Sequence, residues 1–235
     1  MIVFRTPWAY FLRFGEFSEW LSLLRKVKTP IWNSLDVIDK NIHKFYLKEY
    51  SEDGIPVIPT EFVERKSEID LNSFLETRNW EKAVIKPAVS GGAYKAYAVS
   101  RNGTEAQSIL NELLSENDVL IQKFMDEIQN GEWSLLFFNK KYSHSALKVP
   151  KGSDFRVQSQ FGGEYIYKEA PNNLIEQAQK IVDNVEDELL YARVDGISIN
   201  GTLNLMELEL IEPDLFLDPP EAQKNFLKAL LERLK

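Results

Sequence analysis

Cysteine is absent from this 235-residue chain, which excludes disulfides, thiolate metal sites and a cysteine nucleophile. Histidine occurs twice, at His43 and His144, too sparsely for a zinc centre held by imidazoles. Any metal must then be a hard ion held by carboxylates. No apolar run approaches the roughly 18 residues of a membrane span. The first residues also lack the basic-then-apolar pattern of a signal peptide. The expectation is a protein of the reducing cytoplasm with no membrane partner. Positive charge is in deficit as well. With 28 Lys and Arg against 36 Asp and Glu the net charge is −8 and the pI near 5.0, which argues against a nucleic-acid partner.

What is present is the composition of a folded domain, 44% hydrophobic and 27% charged. The chain is long enough for one large domain or two small ones. Its patterning is mixed α/β. "MIVF" reads as a short strand, and "GEFSEWLSLLRKV" as a helix with Phe17, Trp20, Leu21 and Leu24 at helical spacing. A second helix is expected over "NIHKFYLKEYSED", ended by Gly54 and Pro56. Then follow the strand "PVIPTEFV", the helix "DLNSFLETR", and two strands, "WEKAVI" and "YKAYAV", joined through Lys86 and a Ser-Gly-Gly loop. After the helix "TEAQSILNELLS" and the strand "DVLIQKF" come the hairpin "EWSLLFF–NKK–YSHSALKV" and a loop of about 15 residues, "PKGSDFRVQSQFGGE", long enough to be functional. The helix "NLIEQAQKIVDNVEDEL", the hairpin "YARVDGISI–NG–TLNLMELEL" and a last helix, "PPEAQKNFLKALLERLK", close the chain.

The last hairpin is the most informative. Alternation sets Glu207 and Glu209 on one face, Arg193 and Asp195 on one face, and apolar residues on the other. Two buried carboxylates two residues apart repel each other unless a cation stands between them. A two-residue Asn200-Gly201 turn would set Asp195 opposite Met206, on the apolar side. A three-residue loop, Ile199-Asn200-Gly201, sets it on the Glu207 face and is the expected connection.

Four stretches in order, "AVIKPAVSGGAYKAYAV", "VLIQKFMDEIQNGEWSLLFF", "DFRVQSQFGG" and "ARVDG…LNLMELELIEP", resemble the ATP-grasp ligases, over roughly residues 40 to 218. The likeness is greatest to the branch of the cycloserine-pathway cyclo-ligase and the ribosomal-protein glutamyl ligases. It implies an α/β (α+β) fold in which two α+β subdomains grip ATP between antiparallel sheets. Residues 1–40 are then a remnant of a preceding substrate domain, 41–125 the subdomain of the lysines and phosphate flap, and 126–235 that of the metal and catalytic residues. The remnant is expected to expose Val3, Phe4, Phe14 and Trp20 and so to favour a homodimer.

The resemblance also implies roles. Lys86 and, on a looser match, Lys44 reach the nucleotide phosphates, while Ser90, Gly91 and Gly92 close over them. Gln122, Lys123 and Phe124 form the hinge that reads adenine, and Glu132 holds the ribose. Asp195, Glu207 and Glu209 hold Mg2+, with Mn2+ as the alternative ion. Arg193 and Arg156 neutralise the transferring phosphate. The implied reaction is ATP-dependent ligation of a small-molecule carboxylate to an amine through an acyl phosphate. The contrasting reading is a nucleotide-binding module that does not complete ligation. His144, between two serines on a strand, is expected to be structural.

Overall fold

The computed structural model describes residues 1–152 and 154–234 and divides into two compact units. One comprises Met1–Ile42 with Glu127–Lys235, the other His43–Asp126.

The larger unit is built on a five-stranded antiparallel sheet in the order β11-β10-β7-β8-β9. Its strands are β7 (Glu132–Phe138), β8 (Lys141–Val149), β9 (Glu164–Tyr167), β10 (Tyr191–Ile199) and β11 (Thr202–Glu209). All seven residues of β7 are buried, as expected of a strand covered on both faces. Helix α6 (Asn172–Asp183) packs on this sheet through Leu174, Ala178, Ile181 and Val182. Helix α7 (Pro220–Glu232) covers β7 and β8. Ahead of the sheet, β1 (Ile2–Val3) and β2 (Ile31–Trp32) pair in parallel, with α1 (Phe14–Leu24) between them in sequence. A short helix follows, α2 (Leu35–Asn41), whose first turn is capped by the Ser34 hydroxyl accepting from the Val37 amide.

The smaller unit carries a four-stranded antiparallel sheet in the order β3-β6-β4-β5, with β3 (Thr60–Val63), β4 (Lys82–Pro87), β5 (Tyr97–Ser100) and β6 (Val119–Lys123). Its helices are α3 (Tyr46–Glu52), α4 (Leu71–Thr77) and α5 (Ala106–Glu116). Leu71, Leu75, Leu110, Leu113, Ile85 and Ile121 fill the core between α4, α5 and the sheet. Among the described residues no helix is long and apolar enough to cross a membrane.

Four expectations change. The helix foreseen from Asn41 to Asp53 is two helices, α2 and α3. Asn41 turns its amide into the larger unit, donating to the Leu208 carbonyl and accepting from the Leu210 amide. The Lys44 amide then donates to the Ala88 carbonyl of the smaller unit, so the chain leaves helical hydrogen bonding at the unit boundary. The first part of "YKAYAV" is a turn, and β5 begins only at Tyr97. The long loop ends in a strand, β9, that pairs with β8 and that its weak alternation had hidden. At the front, Phe4 is 3% exposed and Val3 packs on the core beside α7, whereas Phe14 and Trp20 are exposed as foreseen.

Candidate active site

The site begins with a hairpin register. Ile199 pairs with Thr202, so the connection is the two-residue turn Asn200-Gly201, both residues left-handed. The expected three-residue loop is not formed. Asp195 nevertheless lies opposite Glu207, because the register shifts between Gly196, paired with Leu205, and Asp195, leaving Met206 as the extra residue of a bulge. Gly196 makes this feasible, since a Cβ there would stand 2.6 Å from the Asn204 carbonyl oxygen.

The bulge sets Arg193 and Asp195 within a buried charge network. The Arg193 Nε donates to both Asp195 carboxylate oxygens at 3.1 Å and its Nη2 to Oδ2 at 2.9 Å; the same Nη2 donates to Glu209. The Ser134 hydroxyl, across the β7–β10 pairing, donates to Asp195. From β8, the Lys148 ammonium lies 3.2 Å from Asp195 and is ion-paired with Glu132, its cross-strand neighbour. Lys148 is 4% exposed and Asp195 3%. Sequence reasoning missed Lys148; its one signal was a lone lysine in the apolar run "SALKV" of a strand expected to pair with that of Glu132.

Electrostatics follow from burial and neighbours. Burial raises the Asp195 carboxyl, but Arg193 and Lys148 outweigh it and bring its pKa down to about 2. Burial raises Glu132, and Lys148 offsets that only in part. Glu209 is pushed well above the usual range by burial and by Glu207, Asp195 and Glu212, against the pull of Arg193. Burial works against the charge on Lys148 and on Arg193, yet the surrounding carboxylates leave both above their ordinary values. The cation expected between the carboxylates is thus supplied by the chain itself. Among the described residues no three acidic or histidine side chains form a ready metal cage.

Arg156 engages Asp154 with Nη2 at 2.8 Å and Nε at 3.1 Å, and its guanidinium stacks 3.8 Å from the Phe161 ring centre. The hydrogen bonds from Arg156 hold Asp154 at about 2. His144 is structural in its contacts. Its Nε2 donates to the Leu215 and Phe216 carbonyls at 3.0 and 3.1 Å, and its Nδ1 lies 2.9 Å from the Ser143 hydroxyl.

In the smaller unit the buried Lys44 ammonium donates to the Ser90 carbonyl, which brings this lysine to the base of the Ser-Gly-Gly loop. The Ser90 hydroxyl donates to the Pro87 carbonyl. Beyond it the loop folds as two tight turns, Tyr94 to Gly91 and Ala96 to Ala93, with Gly92, Ala93 and Lys95 at positive φ. Lys86, on β4 opposite Leu120, sits on the strand leading into that loop. Gln122 is buried with its amide on the Thr60 hydroxyl. The backbone amides of Lys123 and Phe124 are committed to the Pro59 and Lys82 carbonyls.

Two antiparallel α+β units, one with a Lys-bound glycine loop and the other with a buried carboxylate–cation face, define an ATP-grasp ligase, the ADP-forming class that joins carbon to nitrogen using ATP and a divalent cation. Within that class the chain belongs to the family of the prokaryotic glutathione synthetase ATP-grasp domain, whose sequence pattern matches residues 43–215. It is 28% identical to the cycloserine biosynthesis protein DcsG of Streptomyces lavendulae, in an alignment covering 100% of this chain and 83% of the relative. The crystal structure of D-cycloserine synthetase DcsG superposes with a TM-score of 0.84 at 26% identity, covering 99% of this chain and 83% of the other. D-alanine–D-alanine ligase from Bacillus anthracis, solved in complex with ATP, shares the fold, with a TM-score of 0.71 at 17% identity over 94% of this chain and 75% of that one.

Proposed function

We propose that the chain activates a small amino-acid carboxylate as an acyl phosphate and passes the acyl group to an amine. The observation that carries this reading is the pair of buried cations, Arg193 and Lys148, set on one sheet face against Asp195. Phosphoryl transfer needs positioning and charge neutralisation rather than a protein nucleophile. A carboxylate oxygen bonds to the γ-phosphorus as the bridging bond to ADP breaks. The amine nitrogen then bonds to the acyl carbon, phosphate leaves and the surplus proton goes to solvent.

Arg193 and Lys148 would turn from carboxylates toward phosphoryl oxygens, and Arg156 could reach the acyl phosphate only by releasing Asp154. Lys86, Lys44 and the loop Ser90, Gly91 and Gly92 would bind the nucleotide phosphates, and Glu132 the ribose. With the Lys123 and Phe124 amides committed to the sheet, the adenine edge would be read by carbonyls of residues 122–124 and by the following amide, that of Met125. The four carboxylates Glu132, Asp195, Glu207 and Glu209 outnumber the two cations, a donor set suited to a hard ion. Asp195, Glu207 and Glu209 would hold Mg2+ or Mn2+, which when bound neutralises phosphate charge. A partial cage is appropriate, because magnesium usually takes one or two carboxylates and completes its shell with phosphates and water.

The names of the relatives, a cycloserine biosynthesis protein and a D-alanine–D-alanine ligase, direct the substrate screen to amino acids. The test is ADP release with magnesium-ATP and a panel of amino acids, with hydroxylamine added as the trapping amine. Hydroxamate formed in step with ADP is the expected result. Nucleotide binding with no ADP from any carboxylate would overturn the ligase reading in favour of a binding module. ADP release without hydroxamate would remove the acyl phosphate.

A further inference from the structure

Strand β11 is the outermost of its sheet, and such an edge leaves alternate peptide groups without a strand partner. Two buried asparagines from the front of the chain stand in for the missing strand. Asn41 donates to the Leu208 carbonyl at 2.8 Å and accepts from the Leu210 amide at 3.0 Å. Asn33 donates to the Leu210 carbonyl at 2.7 Å and to that of Tyr191 at 2.9 Å. It also accepts from the Leu190 amide at 2.8 Å, so the β10 and β11 ends are joined through one side chain.

Peptide groups alternate sides along a strand, so those of Leu208 and Leu210 face the edge while those of Glu209 face Arg193 on β10. Asn41 therefore grips the chain immediately before and after Glu209. We propose that Asn41 is a positioning residue for Glu209, fixing the backbone from which that carboxylate meets a divalent cation, a role that rests on the proposed carboxylate metal site. Glu207 lies inside the ladder, opposite Asp195, and is held by pairing on both sides. Glu209 is the last residue of β11, where pairing with β10 stops. An unsupported strand end opens locally, and the Glu209 side chain would then follow its ion pair with Arg193 rather than the metal. The grip of Asn41 replaces the pairing that the strand end lacks.

The test is calorimetric binding of ADP to the full chain, in EDTA and again with Mn2+. The ratio of the two dissociation constants isolates the gain due to the metal. Mn2+ is expected to tighten ADP binding to the wild-type protein. Asn41→Ala should cut that gain roughly tenfold, as loss of a ligand-orienting group commonly does, and leave binding in EDTA unchanged. In Glu209→Gln the gain is already reduced, and adding Asn41→Ala should reduce it no further, because the asparagine acts through that carboxylate. Leu174→Ala, in the core between α6 and the sheet, should lower the melting temperature and spare the gain. Asn41→Ser, too short to span both peptide groups yet able to admit water to them, replaces the alanine variant if that one does not fold. A full gain in the Asn41 variant would overturn the proposal and leave the metal site standing. So would an undiminished further loss on top of Glu209→Gln, or an equal loss in Leu174→Ala. Wild-type ADP binding indifferent to Mn2+ would remove the metal site itself, and the role of Asn41 with it.

Discussion

Lys148 shows how much one side chain holds at this site. It is buried between Glu132 and Asp195, and a buried pair stripped of one partner leaves an uncompensated charge worth about 3–5 kcal/mol. Lys148→Met should lower unfolding free energy by roughly 3 kcal/mol in urea titrations. Adding Glu132→Gln should recover most of that stability and none of the turnover. Failure of the second change to restore stability would mean that Lys148 acts through packing alone. His144 makes a separate prediction, of pH dependence. Burial lowers its pKa below the usual value near 6.5, against the Leu215 and Phe216 carbonyls, so the folded ring stays neutral while the unfolded chain takes up a proton. Its contribution is complete above the unfolded value and is lost as pH falls from there toward the lowered folded value. Melting temperature should therefore drop between pH 7.5 and 5.5, and drop less in His144→Gln; parallel curves for the two proteins would refute it. Arg193, Asp195, Glu207 and Glu209 were legible from period-two alternation. Lys148 was not, because only strand register joins it to Glu132.

At the scale of elements, the β10–β11 bulge decides whether a site exists. Gly196→Ala places a methyl against the Asn204 carbonyl and should force the bulge out of register, moving Asp195 away from Glu207. Loss of ATP turnover with a fall of several degrees in melting temperature is expected, because a core hairpin distorts without unfolding. Full activity in that variant would show that the register tolerates the added carbon. The Ser-Gly-Gly loop makes another prediction. Its two tight turns already use the Tyr94 and Ala96 amides, so the protection gained on binding magnesium-ATP should concentrate at residues 90–93 rather than spread evenly over 88–94. Hydrogen exchange with and without nucleotide reads this directly, and unchanged protection would make the stretch an ordinary turn. Gly201 and the preceding Asn200 announced a tight hairpin in the sequence, but whether a bulge followed depended on space across the strand pair.

For the whole molecule, the proposed ligand set predicts linkage between nucleotide and fold. A ligand at a hundred times its dissociation constant stabilises the native state by about 2.7 kcal/mol, which for a chain of this size raises the melting temperature by roughly 5–10 °C. Magnesium with ATP should give a larger rise than ATP alone. In Glu207→Gln the increment due to magnesium should vanish while the fold and the shift from nucleotide alone persist. Equal shifts with and without the ion in the wild-type protein would show that these carboxylates do not serve a metal.

The sequence by itself determined what rests on local order. The alternation of "ARVDG" and "LMELEL", the glycine loop after Lys86 and the succession of four motifs led to the fold and to most of the candidate residues, because periodicity and motif spacing are properties of the chain alone. Tertiary structure decided what depends on residues meeting across strands. It placed Lys148 between two carboxylates, tied Arg156 to Asp154, committed the Lys123 and Phe124 amides to the sheet and covered Phe4 beneath the front segment. Each of these turns on distances between segments far apart in sequence, and such distances arise only once the sheets have closed and expelled water from between them.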